Sequence, residues 1–250
     1  MIATRAIIDK QPEVKLRLRN EVLVLGGGPP ALRAALSLAA RGHQVELATT
    51  GKELLSDPLS QLTRLMAYLA AADAQGALTT AHDLDALLDQ VAASRKITAQ
   101  TKTVLNECRG EAGSFNVGLS AGRKSLATQV GAIVLAECPF EPVPPAQFGL
   151  QSPGTKACQL TELVELLNTV DYLPESAAFI VDLNQEQGRL ITILTLAAAR
   201  HFIRNGSRCV RVYCRNVRTG GTRIEALYRA ARQAGVESWL AVIAQEFDPG

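Results

Sequence analysis

The chain has 250 residues, 47% of them hydrophobic and 20% charged, a composition that suits one large or two small folded domains and excludes a disordered chain. Twenty-six basic against 24 acidic side chains leave a net +2, too little for whole-chain charge to imply nucleic acid or an anionic membrane as partner. Aromatic residues make up only 4%, which argues against a base-stacking platform and leaves the core to aliphatic packing.

Residues 1–20 carry charge throughout and lack the apolar stretch of about 7–15 residues that an export signal needs, so an N-terminal extension is expected there. Glu21 to Leu25 is a short aliphatic run between a charge and glycines, the form of a strand buried on both faces of a parallel sheet. Gly26, Gly27, Gly28, Pro29 and Pro30 turn the chain, and Ala31 to Arg41 reads as helix, closed by Gly42. His43 to Ala48 is the next strand, which completes a βαβ unit. A cap-like Ser56-Asp-Pro start leads into leucines spaced for one helical face as far as Gln75, and a second helix is expected over Asp83 to Ser94. Ile97 to Glu107, Ser114 to Leu119 and Leu126 to Ala136 are expected to form a strand meander returning to the main sheet.

Residues 138–154 hold five of the eleven prolines and cannot sustain a helix or a central strand, so a linker is expected between a domain over 21–137 and a smaller one over 155–250. The smaller part reads as helix Leu160 to Asn168, strand Ala177 to Leu183, helix Arg189 to Asn205, strand Cys209 to Cys214, helix Thr222 to Ala234 and strand Trp239 to Ala244. The expected fold class is thus α/β: a Rossmann-like dinucleotide-binding domain with a strand meander, then a smaller α/β part. The apolar run Leu190 to Ala199 is far short of the roughly 18–20 residues of a membrane span.

The candidate chemistry lies first in Gly26-x-Gly28-x-x-Ala31, which follows a buried strand and opens a helix, where exposed N–H groups can hold a pyrophosphate. A glycine turn that merely joins strand to helix is the competing reading. Pro29 and Pro30 remove two donors, but proline in a first helical turn gives up groups that lack intrahelical partners. The second strand should end in an acid for the adenosine ribose and ends instead in Ala48 and Thr49; a threonine hydroxyl can bond a ribose oxygen without the strength of a charged acceptor, or be a plain loop residue.

The five cysteines form no C-x-x-C pair, the three histidines show no ligand spacing, and no nucleophile elbow is present. Cys138 reads as a packing thiol in preference to a redox-active one. No metal site and no hydrolase is expected. Residues 188–233 hold ten Arg against one acid, Glu225. Alternation along the strand and the four-residue spacing of Arg200 and Arg204 suit a solvated face; a docking patch for an acidic partner is the alternative, with nucleic acid disfavoured.

Val22 to Ala35, the turn over Gly110 to Val117, the strand Gly131 to Ala136 with Phe140-Glu-Pro, and Val210 to Gly220 followed by Glu225 to Tyr228 occur in the order seen in the large flavoprotein component of heterodisulfide reductase, its A-type polypeptide, and in the flavoprotein relatives of that family. The chain therefore resembles this family over most of residues 20–240. The resemblance implies an FAD-binding βαβ domain, iron–sulfur clusters and electron transfer within a multisubunit complex. It implies cofactor-binding roles for Gly26, Gly27, Gly28, Pro29, Ala31 and Thr49, with Ala136 and Glu137 near the flavin. The chain departs from the pattern: Ala136-Glu-Cys stands where an alanine-threonine-glycine turn is expected, and Leu59 to Leu69 and Leu190 to Ala199 carry no cysteine. The expectation is a cytoplasmic, FAD-binding electron-transfer subunit without clusters, with no catalytic residue, bound to other subunits of a redox complex through residues 189–232. The alternative is a cofactor-free scaffold. An independent nicotinamide-dependent reductase is disfavoured by the lack of a second glycine fingerprint and of an acid–base pair.

Overall fold

A computed structural model describes residues 19–72, 83–137, 146, 149–150, 157–181, 188–214, 220 and 222–240. Two units emerge from it, one of Met1–Leu54 with Leu88–Glu137, the other of Leu55–Leu87 with Cys138–Gly250. The expectation grouped 21–137 together; residues 55–87 instead cluster with the second half, because the apolar stripe of their helix is buried there.

In the first unit, β1 (Glu21–Leu25), β2 (Gln44–Ala48), β3 (Ile97–Gln100) and β7 (Ala132–Leu135) form one parallel sheet in the order β3-β2-β1-β7. β1 is central, and its Val22, Leu23 and Val24 are buried on both faces, as an unbroken aliphatic run requires. Helix α1 (Pro29–Ala40) crosses from β1 to β2 with Ala31, Leu32, Ala35 and Ala39 buried. Helix α3 (Leu84–Ala93), whose residues from Leu88 on belong to this unit and the earlier ones to the second, is opened by Asp83, its Oδ1 accepting the N–H groups of Asp85 and Ala86.

A separate antiparallel sheet holds β4 (Thr103–Glu111), β5 (Ser114–Ala121) and β6 (Lys124–Val130). Its Val117, Leu119 and Val130 share a core with Leu23 and Ala48 of the parallel sheet. The meander is therefore present, with two differences from expectation. The segment expected as one strand from Ile97 divides at the polar Gln100-Thr-Lys-Thr stretch into parallel β3 and antiparallel β4. The segment expected over Leu126 to Ala136 divides at Gly131 into β6 and parallel β7.

In the second unit, α2 (Pro58–Ala71) starts at Asp57, whose Oδ1 accepts the Ser60 N–H at 3.0 Å. Leu62, Leu65 and Leu69 of α2 enter a core with Leu163, Val164 and Leu167 of α4 (Leu163–Thr169) and with Leu194, Ala198 and Phe202 of α5 (Arg189–Arg204). Strands β8 (Ser176–Ile180), β9 (Cys209–Cys214) and β10 (Glu237–Leu240) are parallel in sequential order, with α5 and α6 (Thr222–Ala234) as crossovers. Val210 and Val212 of β9 and Leu227 and Ala231 of α6 complete that core. The expected strand, helix, strand, helix, strand order is found, and β10 begins two residues before the expected Trp239. The expected N-terminal extension up to residue 18, most of the Pro-rich 138–154 segment, the ends of strands at 182–183 and 241–244, Cys138 and His82 lie outside the described residues. No helix of the described residues is long and apolar enough to cross a membrane.

Candidate functional site

β1, β2 and β7 point their C-terminal ends the same way, and the registers Leu25↔Ala48 and Leu25↔Leu135 bring the three following loops side by side. This is the crevice in which open α/β sheets bind ligands, since the chain leaves the central strand for a helix on one side. Gly26 is the hinge of the turn. Its N–H donates to Ala48 O at 2.8 Å, while Ala136 N–H donates to Leu25 O at 2.8 Å, so it is gripped from both neighbouring strands. Its φ of +137° lies where side chains are not tolerated, and a Cβ there would stand 2.7 Å from Ala136 O.

Gly27 is required for a different reason. A Cβ on it would meet Thr49 Oγ1 at 2.5 Å, so the buried Thr49 side chain packs on this peptide. Thr49 Oγ1 accepts the Gly51 N–H at 3.2 Å, a local turn that fixes the hydroxyl. Gly28 is the N-cap of α1, extended at φ −88° and ψ 178°, and its carbonyl accepts the Leu32 N–H at 3.1 Å. Pro29 and Pro30 occupy the first two helical positions, Pro29 buried and Pro30 exposed. Ala31 is fully buried, its small side chain permitting close helix–sheet contact. Among the described residues, the N–H groups of Gly27, Gly28 and Ala31 have no hydrogen-bond partner and are the donors left for an anion at this helix start. Ala136, half-buried, and exposed Glu137 follow β7 directly beside Gly26.

All eight residues expected from the sequence, Gly26, Gly27, Gly28, Pro29, Ala31, Thr49, Ala136 and Glu137, thus sit at the ends of three adjacent strands. Sequence reasoning missed the loop after β3: Thr49 N–H donates to Gln100 O at 3.0 Å and Lys102 N–H to Gly51 O at 2.8 Å. The signal for it was the polar break at Gln100 to Thr103.

The arginine-rich segment is not a uniform solvated face. Arg200, expected at the surface, is buried, and lines a cavity of about 150 Å³ with Leu69, His201 and Arg204. Its burial follows from its place in α5, whose flanking Ala197, Ala198 and Ala199 are all in the core. Burial also lowers the pKa of His201, whose ring meets Tyr68 edge-on at 5.6 Å. Three other arginines are paired: Arg208 with Glu175 at 2.8 Å, Arg211 with Glu237 at 2.9 Å, and Arg229 with Glu225. Among the described residues no group of His, Cys, Asp or Glu could hold a metal ion.

Strand order, parallel registers and the glycine turn define a Rossmann-like α/β protein. No family model matches the chain. A stretch of 112 residues is 28% identical to the A-type polypeptide of the ferredoxin:CoB-CoM heterodisulfide reductase of Methanosarcina acetivorans, which bears out the resemblance; the match covers 45% of this chain and 13% of that protein. Among solved structures, the HOCl-induced flavoprotein disulfide reductase RclA of Escherichia coli, as a Cu(II) complex, aligns over 89% of this chain and 49% of its own at 15% identity and a TM-score of 0.49. Putidaredoxin reductase, in covalent complex with putidaredoxin, aligns over 88% and 49% at 17% identity and a TM-score of 0.48.

Proposed function

We propose that the chain is a redox subunit that holds an adenine dinucleotide at the Gly26–Ala31 turn, FAD being the dinucleotide implied by its resemblance to the heterodisulfide reductase flavoprotein. The observation that carries the reading is the turn itself, gripped between β2 and β7, with Gly26 in a glycine-only conformation and the Gly27, Gly28 and Ala31 N–H groups at the start of α1. These donors suit a pyrophosphate; Thr49 lies at the ribose position, and Ala136 and Glu137 border the inner end of the crevice. When bound, a flavin supplies the electron-accepting ring, while the protein binds it, orients it and sets the field around it. No residue of the chain is assigned a catalytic role. The protein works in the cytoplasm, within a complex of partner subunits and without clusters of its own.

The test is the visible spectrum of the gently purified native assembly and the flavin content of its denatured extract. About one flavin per chain supports the reading; a colourless assembly without flavin contradicts it. A second reading, a cofactor-free scaffold, is favoured by Pro29 and Pro30, which take two donors from the turn, and by Thr49, which lies close on Gly27. That reading expects a colourless protein in fixed ratio with redox partners, bound partly through exposed arginines such as Arg189 and Arg232. Charge reversal at these two would then weaken assembly more at low salt than at high salt.

A further inference from the structure

The second unit holds a cavity of about 150 Å³ that takes no part in the dinucleotide crevice. It lies between the C-terminal turn of α2 and the last turns of α5; Leu69 and Ala197 line it with apolar surface, and Arg200, His201, Arg204 and Asn205 supply the polar lining. A guanidinium is costly to bury without acceptors. Arg200 is nonetheless only 3% exposed, on a helix whose Ala197, Ala198, Ala199 and Phe202 are all in the core, and its Nη1 makes no hydrogen bond among the described residues. Arg200 and Arg204 are each engaged in a further interaction; with five N–H donors apiece, a guanidinium serves one partner and still presents donors to the cavity.

The end of α5 does not account for this charge, because its last carbonyls are capped by the chain that follows. Asn205 N–H donates to His201 O at 3.1 Å, Gly206 N–H to Ile203 O at 3.3 Å and Ser207 N–H to Phe202 O at 3.0 Å, and Asn205 Nδ2 adds a bond to His201 O at 2.8 Å. Asn205 Nδ2 also meets His201 Nδ1 at 3.3 Å. An amide NH2 only donates, so Nδ1 accepts and the ring proton sits on Nε2. Burial lowers the pKa of this ring, which makes it a neutral donor at pH 7. The polar lining is thus two guanidiniums and an imidazole N–H, and no carboxylate lines the cavity among the described residues. Like charges on one small space repel unless an anion lies between them, and the planar fork of arginine matches phosphoryl oxygens. A cavity of about 150 Å³ admits a molecule the size of benzene, which leaves room for a tetrahedral oxyanion.

We propose that the cavity between α2 and α5 is a binding site for a phosphoryl oxyanion, held by the guanidiniums of Arg200 and Arg204 with His201 Nε2–H as a third donor. The site is separate from the Gly26–Ala31 turn and stands whether or not that turn holds FAD.

The test is calorimetric titration of the full chain, in chloride buffer at fixed ionic strength, with inorganic phosphate and with phenyl phosphate, for the wild type, Arg204→Gln and Arg200→Met. Arg204 is exposed, so Arg204→Gln should melt close to the wild type, while Arg200→Met fills the buried position with an unbranched apolar side chain. The expected result is one inorganic phosphate per wild-type chain, an affinity at least about tenfold lower in Arg204→Gln, the worth of one charge-assisted bond, and no binding in Arg200→Met. Should Arg200→Met fail to fold, Arg204→Gln alone decides. Phenyl phosphate binding as tightly as phosphate marks an esterified phosphoryl group as the ligand, and binding of phosphate alone marks the free ion; either supports the site. Phosphate affinity unchanged in Arg204→Gln places the ion elsewhere, the Gly26 turn included, and overturns the proposal, as does a wild type that binds no phosphate.

Discussion

Gly26 and Gly27 are neighbours with different obligations. Gly26 answers to backbone conformation, so Gly26→Ala should cost about 1–3 kcal/mol from φ alone, with the clash on Ala136 O added to it. Urea denaturation of the two proteins measures this, and an unchanged midpoint would contradict the grip from β7. Gly27 answers to a side chain. Gly27→Ala should be destabilising, and Thr49→Ala in the same chain should restore part of the loss, giving a coupling of roughly 0.5–3 kcal/mol in a double-mutant cycle. Additive effects would show that the two do not touch. The glycine run, Ala31 and Thr49 were legible because a strand, a glycine turn and a helix start are all local patterns. Lys102 and the buried Arg200 were not: one depends on which strand lies next to β2, the other on which face of α5 meets the core, and neither is written in nearby residues.

The elements whose apolar pattern is strong, α1, α5, α6, β1 and β9, were readable to within two residues, whereas α2 ends at Ala71, four residues before the expected Gln75. Those that were merged, β3 with β4 and β6 with β7, share one extended run in sequence; what divides them is a change of partner strand at Lys102 and Gly131, which no propensity encodes. α1 offers a test of the anion reading at the scale of the helix. Pro30 is exposed and at the second helical position, so Pro30→Ala restores one N–H to the helix start without disturbing buried packing. If a pyrophosphate sits there, dinucleotide affinity should rise by about 0.5–1.5 kcal/mol, and a titration showing no gain would argue for the scaffold. In α5, His201 has its pKa lowered by burial from the ordinary 6.5. The unfolded chain then takes up the proton first, so stability is full above about pH 6.5 and declines as the pH falls through the lowered folded value. His201→Gln should flatten that part of the profile, followed by thermal denaturation between pH 5 and 8. A wild-type profile already flat there would contradict the burial of this ring against Tyr68.

For the whole chain, the pattern of strands and helices read along the sequence matches the α/β class found, while the grouping of residues 55–87 with the second unit depends on leucines of α2 meeting α4 and α5, far apart in sequence. The basic segment reads from sequence as a solvated face, with a docking patch as the alternative, because a count by position ignores partners; Glu175 and Glu237, outside the segment, pair with Arg208 and Arg211. Exposed pairs of this kind contribute about 0–1 kcal/mol each, so they reshape the surface field more than they stabilise the fold. What the first unit presents is the junction of the β1, β2 and β7 strand ends, with the free N–H groups of Gly27, Gly28 and Ala31 at the start of α1. The most direct measurement is therefore equilibrium titration of the intact chain with adenine dinucleotides. Saturable binding of one dinucleotide per chain, competed by its pyrophosphate-containing half, is the predicted result. A folded protein that binds none of them would contradict the account.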